Sequence, residues 1–278
     1  MKLPILYQDE YLVAINKPSG LLVHRSLIDK HETQFAVQLL RDQMGQKVYP
    51  VHRLDRPTSG VLLFALDANS ARALTEQFTQ GLVQKTYLAL VRGFCEPVGV
   101  IDYALKEELD ELADAKADPN KPAQNAITHY RTLEQFELPF PSNKHPTSRY
   151  SLLALQPKTG RKHQLRRHLK HIFHPIVGDT THGDGKQNKL FREQFGCERL
   201  LLHAQALQVH HPSSKAILNL QAPLAEDFSQ VLQSVASSHL MQGNANVPWE
   251  GKWKLSQNKA SPEYQGMIDG LSQTQPSS

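Results

Sequence analysis

Residues 51–60, Val-His-Arg-Leu-Asp-Arg-Pro-Thr-Ser-Gly, set one carboxylate, Asp55, between Arg53 and Arg56, with His52 close by. Nearby positive charge favours the ionised form of a carboxylic acid. An ionised, positioned Asp can serve as a nucleophile or a base, and guanidiniums around it suit a polyanion. A salt bridge that merely anchors a loop would use the same residues, because structural ion pairs also perturb acids. Pro57 and Gly60 mark a turn. Val61-Leu62-Leu63-Phe64-Ala65-Leu66 reads as a buried strand, so the carboxylate is expected on a loop braced by the core.

A second cluster lies at 158–171, where Lys158, Arg161, Lys162 and Arg166 fall within nine positions and no acid intervenes. The acidic stretch, Lys106 to Asp118, lies elsewhere in the chain. Separated sign suggests a positive face for phosphates; a solvated basic helix is the plainer reading. Gly160 permits close backbone approach ahead of a helix whose free N–H groups bind anions. Arg166 can instead point inward and pair with Asp55, a costly burial of charge that is typical of sites. Tyr87, in the middle of a strand, reads as a core aromatic or as a stacking platform or proton acceptor near Asp55. His163, His168, His171 and His174 invite a metal, with spacings of three placing the last three along one helical face. No acid or cysteine accompanies them and Arg166, Arg167 and Lys170 crowd a cation, so no metal is expected. Neither a nucleophile elbow nor a Gly-rich phosphate loop is present.

The elements that must position these groups follow from the pattern. The chain has 278 residues, 40% hydrophobic and 21% charged, with net charge +4, as in globular proteins. Its N-terminus meets acids too early for a signal peptide, and no apolar run nears the roughly 20 residues of a membrane helix. Cys95 and Cys197 form no disulfide framework, so the cytosol is expected. Strands are expected at 5–7, 11–15, 21–24, 61–66, 85–93, 98–105, 126–136 and 149–155, then at 200–202, 205–210 and 216–220. Helices are expected at 33–44, at 69–80 with Asn69 as N-cap, from about 160 to 173, and at 226–237. Many strands without regular βαβ alternation favour an α+β fold with a mostly antiparallel sheet. From about 241 the composition turns to Gln, Asn, Ser and Gly, the signature of a flexible tail.

Five segments occur in the order of a known family: 16–24 (Asn-Lys-Pro-Ser-Gly-Leu-Leu-Val-His), 52–60, Lys85-Thr86-Tyr87, 159–166 (Thr-Gly-Arg-Lys-His-Gln-Leu-Arg) and Leu201-Leu202-His203-Ala204. Together they resemble the pseudouridine synthases that modify ribosomal and transfer RNA, over roughly residues 5–225. The resemblance implies that family's fold, a mixed, mostly antiparallel sheet flanked by helices around a central active-site cleft. It implies a catalytic domain over 1–240 and the tail at 241–278. It implies isomerisation of a uridine in tRNA, at position 65, after the base is flipped out. By matched position it makes Asp55 the nucleophile, Tyr87 the ring on the target base and a candidate for proton removal, and Arg166 the partner of Asp55. Leu202 would line the base pocket. Arg53 and Arg56 would face RNA or hold the loop, and Arg161, Lys162 and Arg167 would contact the RNA backbone. No cofactor, metal or membrane is implied, and a monomer is expected. Ribosomal RNA as substrate, or a non-catalytic RNA-binding or chaperone-like role, stays open. Loops 106–124 and 139–148 are candidates for selecting the uridine.

Overall fold

The computed structural model describes residues 1–24, 33–108, 122–142 and 145–239. The expected tail, 241–278, and most of loop 106–124 lie outside the described residues. The elements run β1 (Ile5–Gln8), β2 (Leu12–Lys17), α1 (Ala36–Met44), β3 (Tyr49–Pro50), β4 (Ser59–Ala65), α2 (Ala68–Thr79), β5 (Gln84–Arg92), β6 (Val98–Asp102) and β7 (Ile127–Leu138). They continue with β8 (Ser148–Pro157), α3 (Gln164–His171), α4 (Gly185–Phe195), β9 (Leu202–His210), β10 (Ile217–Gln221) and α5 (Glu226–Ser237). The expected α+β class and mostly antiparallel sheet are what the chain forms. One ten-stranded sheet has the order β1-β2-β4-β9-β5-β8-β7-β6, with β3 on β4 and β10 on β9. Every pairing between these strands is antiparallel except β4 with β9.

The side-chain alternation of a strand decides which helix covers which face. On β4, Leu62 and Phe64 pack with Val13 and Ile15 of β2 against Ala36 and Leu40 of α1. Val61, Leu63 and Ala65 point the other way, with Leu12 and Ala14, onto Leu74 of α2. All seven residues of β4 are buried, so a continuous apolar run covered on both faces is its natural sequence. In the other half of the sheet, Ala89 and Val91 of β5 and Leu153 and Leu155 of β8 pack against Leu165 and Leu169 of α3, joined by Leu202 of β9.

Some local expectations give way. Helix α2 is capped by Asp67, whose carboxylate accepts from the N–H groups of Asn69 and Ser70, so the cap lies two residues before Asn69. Residues 21–24 form no strand; Leu22 makes a single bridge to Phe35. Helix α3 begins at Gln164, with His163 in the left-handed region at φ 53°. Helix α4, which the hydrophobic pattern does not announce, is started by Asp184 accepting from the N–H groups of Lys186 and Gln187.

Candidate functional site

Asp55 sits on the loop between β3 and β4. Its neighbour Leu54 is buried in the cluster beneath α1, and the Thr58 N–H closes the turn onto the Asp55 carbonyl at 3.0 Å. Lys17 is fully buried and its Nζ donates to the carbonyls of Pro18, Leu21 and Arg56 at 2.9, 2.8 and 3.1 Å. Three acceptors compensate a group that is costly to bury. Burial, with the charge of Arg199 and against that of Asp55, lowers its pKa to about 7. The turn at 18–20 is tied to the same loop by Ser19 Oγ donating to Pro57 O at 2.7 Å and Gly20 N to Arg56 O at 2.9 Å. Gly60, at φ 114°, lies so close to β9 that a Cβ would stand 2.2 Å from the Ala204 carbonyl oxygen. Only glycine permits this approach.

The charge around Asp55 differs from the order of residues in the sequence. Arg53 and Arg56 are exposed, and Arg56 Nε donates to Gly20 O at 3.2 Å, holding the loop. His52 turns away: its Nε2 accepts from Leu63 N at 3.0 Å and its ring stacks on Phe78. Burial, aided by the charge of Lys85, pushes its pKa down to about 3. Arg166 reaches Asp55 from across 111 residues of sequence, with Nη1 3.5 Å from Oδ2. The Asp55 side chain remains 21% exposed.

Arg166 is held by a group that sequence reasoning missed. Asp179 accepts from Arg166 Nε at 2.7 Å and Nη2 at 2.8 Å, a two-pronged pair. Asp179 also accepts from the Thr181 and His182 N–H groups, both at 2.9 Å. Burial, the largest single effect, pushes its carboxyl up, but these contacts together outweigh it and hold the carboxyl below the usual range. The guanidinium is therefore not compensated by Asp55 alone. Its helix is latched to β7 through Gln164, which donates to Ile127 O and Thr128 Oγ1 and accepts from Thr159 Oγ1 and the Arg161 N–H.

Tyr87 packs against both the α1 cluster and the α3 cluster, at the seam between the halves of the sheet, where a bulge separates it from Thr86 in the pairing with β9. Burial first, and the negative charge of Asp55 second, raise its phenol well above the ordinary value. Leu202 is buried on the α3 side of that seam and pairs with Ala89.

The basic segment is engaged within the chain. Arg161 is exposed and its Nε donates to Asn125 O at 3.1 Å. Lys162 Nζ donates to the Glu108 carbonyl at 2.8 Å, and Arg167 Nε lies 3.3 Å from Glu108 Oε1. The acidic stretch, distant in sequence, thus reaches the basic cluster. His163 links the two acids: its Nδ1 is 3.2 Å from Glu108 Oε2 and its Nε2 is 3.9 Å from Asp55 Oδ2. His182 Nε2 completes the group, 3.1 Å from His163 Nδ1 and 3.6 Å from Glu108 Oε2. Among the described residues, Glu108, His163 and His182 are the three that can turn ligand atoms toward one ion. The other histidines of this segment are apart from this group: on α3, His168 bonds Thr128 Oγ1 and Tyr103 O and His171 stacks on Tyr103, while His174 lies beyond the end of the helix and bonds Arg92 O.

Residues 11–171 match the family model described as RNA pseudouridylate synthase. The protein called tRNA pseudouridine synthase C in Vibrio parahaemolyticus is 56% identical over 231 residues, covering 83% of this chain and 94% of that relative. Its namesake in Haemophilus influenzae is 54% identical over 230 residues, covering 83% and 96%. Among solved structures, human RNA Pseudouridylate Synthase Domain Containing 4 superposes with a TM-score of 0.63 at 30% identity, over 84% of this chain and 93% of that one. Human RNA Pseudouridylate Synthase Domain Containing 1 gives 0.62 at 25% identity, over 86% and 96%.

Proposed function

We propose that this chain, which belongs to the RNA pseudouridylate synthase family and is therefore an isomerase, takes tRNA as its substrate and uses Asp55, Tyr87 and Arg166 to turn one uridine into pseudouridine. The tRNA assignment rests on the names of the relatives that cover most of the chain. The observation that carries the site assignment is the meeting of Asp55 with Arg166, 3.5 Å apart, while Asp55 keeps an open face.

The reaction breaks the N1–C1′ bond, turns the detached base and joins C5 to C1′. A proton leaves C5 and one is gained at N1, so substrate and product are isomers. Oxidation state is unchanged and no group leaves the nucleoside, so the reading calls for no cofactor and no metal. An ionised oxygen of Asp55 either bonds to the nucleoside or stabilises a cationic sugar once water is excluded. Arg166, fixed by Asp179, keeps positive charge behind that oxygen at a constant place. Tyr87 stands protonated at neutral pH, which favours its ring as a stacking surface over its oxygen as a base. The uridine is extruded from its stack at a cost of a few kcal/mol; contacts from Arg53, Arg56, Arg161, Lys162 and Arg167 to the RNA backbone offset it, and Leu202 forms the apolar wall of the base pocket. The reading places all of this within residues 1–240 of a cytoplasmic monomer.

The test measures tritium release from C5-tritiated uridine in tRNA. Asp55→Ala and Asp55→Asn are expected to lose turnover, and undiminished release would refute the assignment. Tyr87→Phe, which keeps the ring, is expected to retain RNA binding. Mapping of pseudouridine in tRNA and rRNA from a deletion strain separates the two substrates: loss in tRNA, at the expected position 65, supports the reading, and loss in rRNA alone overturns it.

A further inference from the structure

Glu108 is an acid inserted into a basic cluster beside the candidate nucleophile. Its carboxylate meets three side chains able to donate: Arg167 Nε at 3.3 Å, His163 Nδ1 at 3.2 Å and His182 Nε2 at 3.6 Å. Lys162 Nζ holds the same residue by its backbone carbonyl at 2.8 Å. The side chain is 37% exposed, so it closes the cluster from the solvent side. His163 holds the left-handed conformation at φ 53°, which is uncommon for a residue other than glycine. This conformation lies between Lys162 and the first turn of α3, where His163 turns one nitrogen to Glu108 and the other to Asp55.

We propose that His163, Arg167 and His182 form a seat for an RNA backbone phosphate, and that Glu108 occupies this seat until RNA displaces it. The proposal rests on the RNA-modifying role given above and adds a subsite to it. A backbone phosphate carries one negative charge on two non-bridging oxygens, as a carboxylate does, so it can take the place of the Glu108 carboxylate on the same donors, and hydrogen bonds to an ionised acceptor are the strong ones. The seat is one imidazole ring away from Asp55, so a phosphate held there belongs to the nucleotide being modified or to its neighbour. The same trio offers ligand atoms to a cation, but Arg167 and Lys162 against Glu108, and Arg166 beside Asp55, surround it with positive charge. That surrounding favours an anion.

The experiment compares the binding of a tRNA transcript to the full chain and to Glu108→Gln and Glu108→Ala, by fluorescence anisotropy at about 0.1 M KCl. Both variants are expected to bind about two- to fivefold more tightly, the range for one partly exposed ion pair that no longer has to be broken. Adding His182→Gln to Glu108→Gln is expected to cancel the gain. Unchanged or weaker binding by both Glu108 variants overturns the proposal. A gain that survives His182→Gln also overturns the seat as drawn. Titration of the chain with zinc chloride supplies the rival: saturable binding lost in Glu108→Gln identifies a cation site and overturns the anion one. Tritium release measured on the same proteins keeps the readings separate. Turnover persisting in Asp55→Ala sinks the catalytic assignment whatever the affinities show, and altered affinity without that result bears on the seat alone.

Discussion

The two carboxylates that share Arg166 are predicted to differ sharply when removed one at a time. Asp179 holds the guanidinium by two short bonds, 2.7 and 2.8 Å, with 1% of its side chain exposed. Asp55 meets it once, at 3.5 Å, with 21% exposed. Asp179→Asn keeps an oxygen for the Thr181 and His182 N–H groups but turns an amide donor toward the donors of Arg166. Removing one partner of a buried pair costs about 3–5 kcal/mol. In a protein of this size that lowers the melting temperature by roughly 10 °C. Asp55→Asn loses a long, partly solvated contact worth about 1 kcal/mol or less, while Asp179 still compensates Arg166. Urea unfolding followed by circular dichroism gives the two stabilities, and tritium release gives the turnover. The expected result is a stable, inactive Asp55→Asn and a markedly destabilised Asp179→Asn. Equal losses of stability, or a harmless Asp179→Asn, would show that Arg166 is balanced otherwise.

Two further outcomes follow from packing and protonation. Gly60→Ala is expected to lose at least about 2 kcal/mol, because its Cβ would stand 2.2 Å from Ala204 O on a backbone at φ 114°; a urea midpoint equal to that of the parent would contradict the contact. The His52 pKa of about 3 in the folded chain lies below the ordinary 6.5, so between these values the unfolded chain binds more protons. Stability therefore rises with pH across that window and is lost on acidification, by up to about 1.4 kcal/mol per pH unit. His203, lowered to about 4 by burial, acts in the same direction. His52→Gln, which retains an acceptor for Leu63 N, is expected to flatten the pH dependence of the urea midpoint between about pH 4 and 6, and an unchanged slope would show that His52 does not titrate this way.

Much of the framework was legible because strand alternation and turn residues are local signals. The buried run of β4, the α+β class and helix α5 follow from them, and the motif order marked Asp55 and Arg166 as a pair. What escaped depends on contacts between distant segments. Asp179 is a single acid after an apolar run, and nothing near it in the chain says that it meets Arg166. The two arginines beside Asp55 in sequence are solvent-exposed, while Arg166, far along the chain, comes within 3.5 Å of it. His52 is three residues from Asp55, yet its ring is claimed by Phe78 and Leu63. Glu108 looked like part of a remote acidic stretch, and its approach to Arg167 is set by how the chain returns after β6. The cap of α2 moved from Asn69 to Asp67 because the earlier carboxylate reaches two N–H groups at once.

The place of β9 has a consequence for synthesis. It lies between β4 and β5, strands made long before it, and bonds to both. The segment carrying Asp55 belongs to one side of this insertion; Tyr87 and the helix bearing Arg166 belong to the other. A growing polypeptide that has not yet extruded residues 202–210 can pair β1, β2 and β4, and separately β5 to β8, but lacks the strand that joins these two sets in the sheet. Long-range closure of this kind is slow relative to local pairing. The complete sheet therefore forms only after residues 202–210 have emerged, and a product truncated just before them carries Asp55, Tyr87 and Arg166 without the strand that links their halves of the sheet.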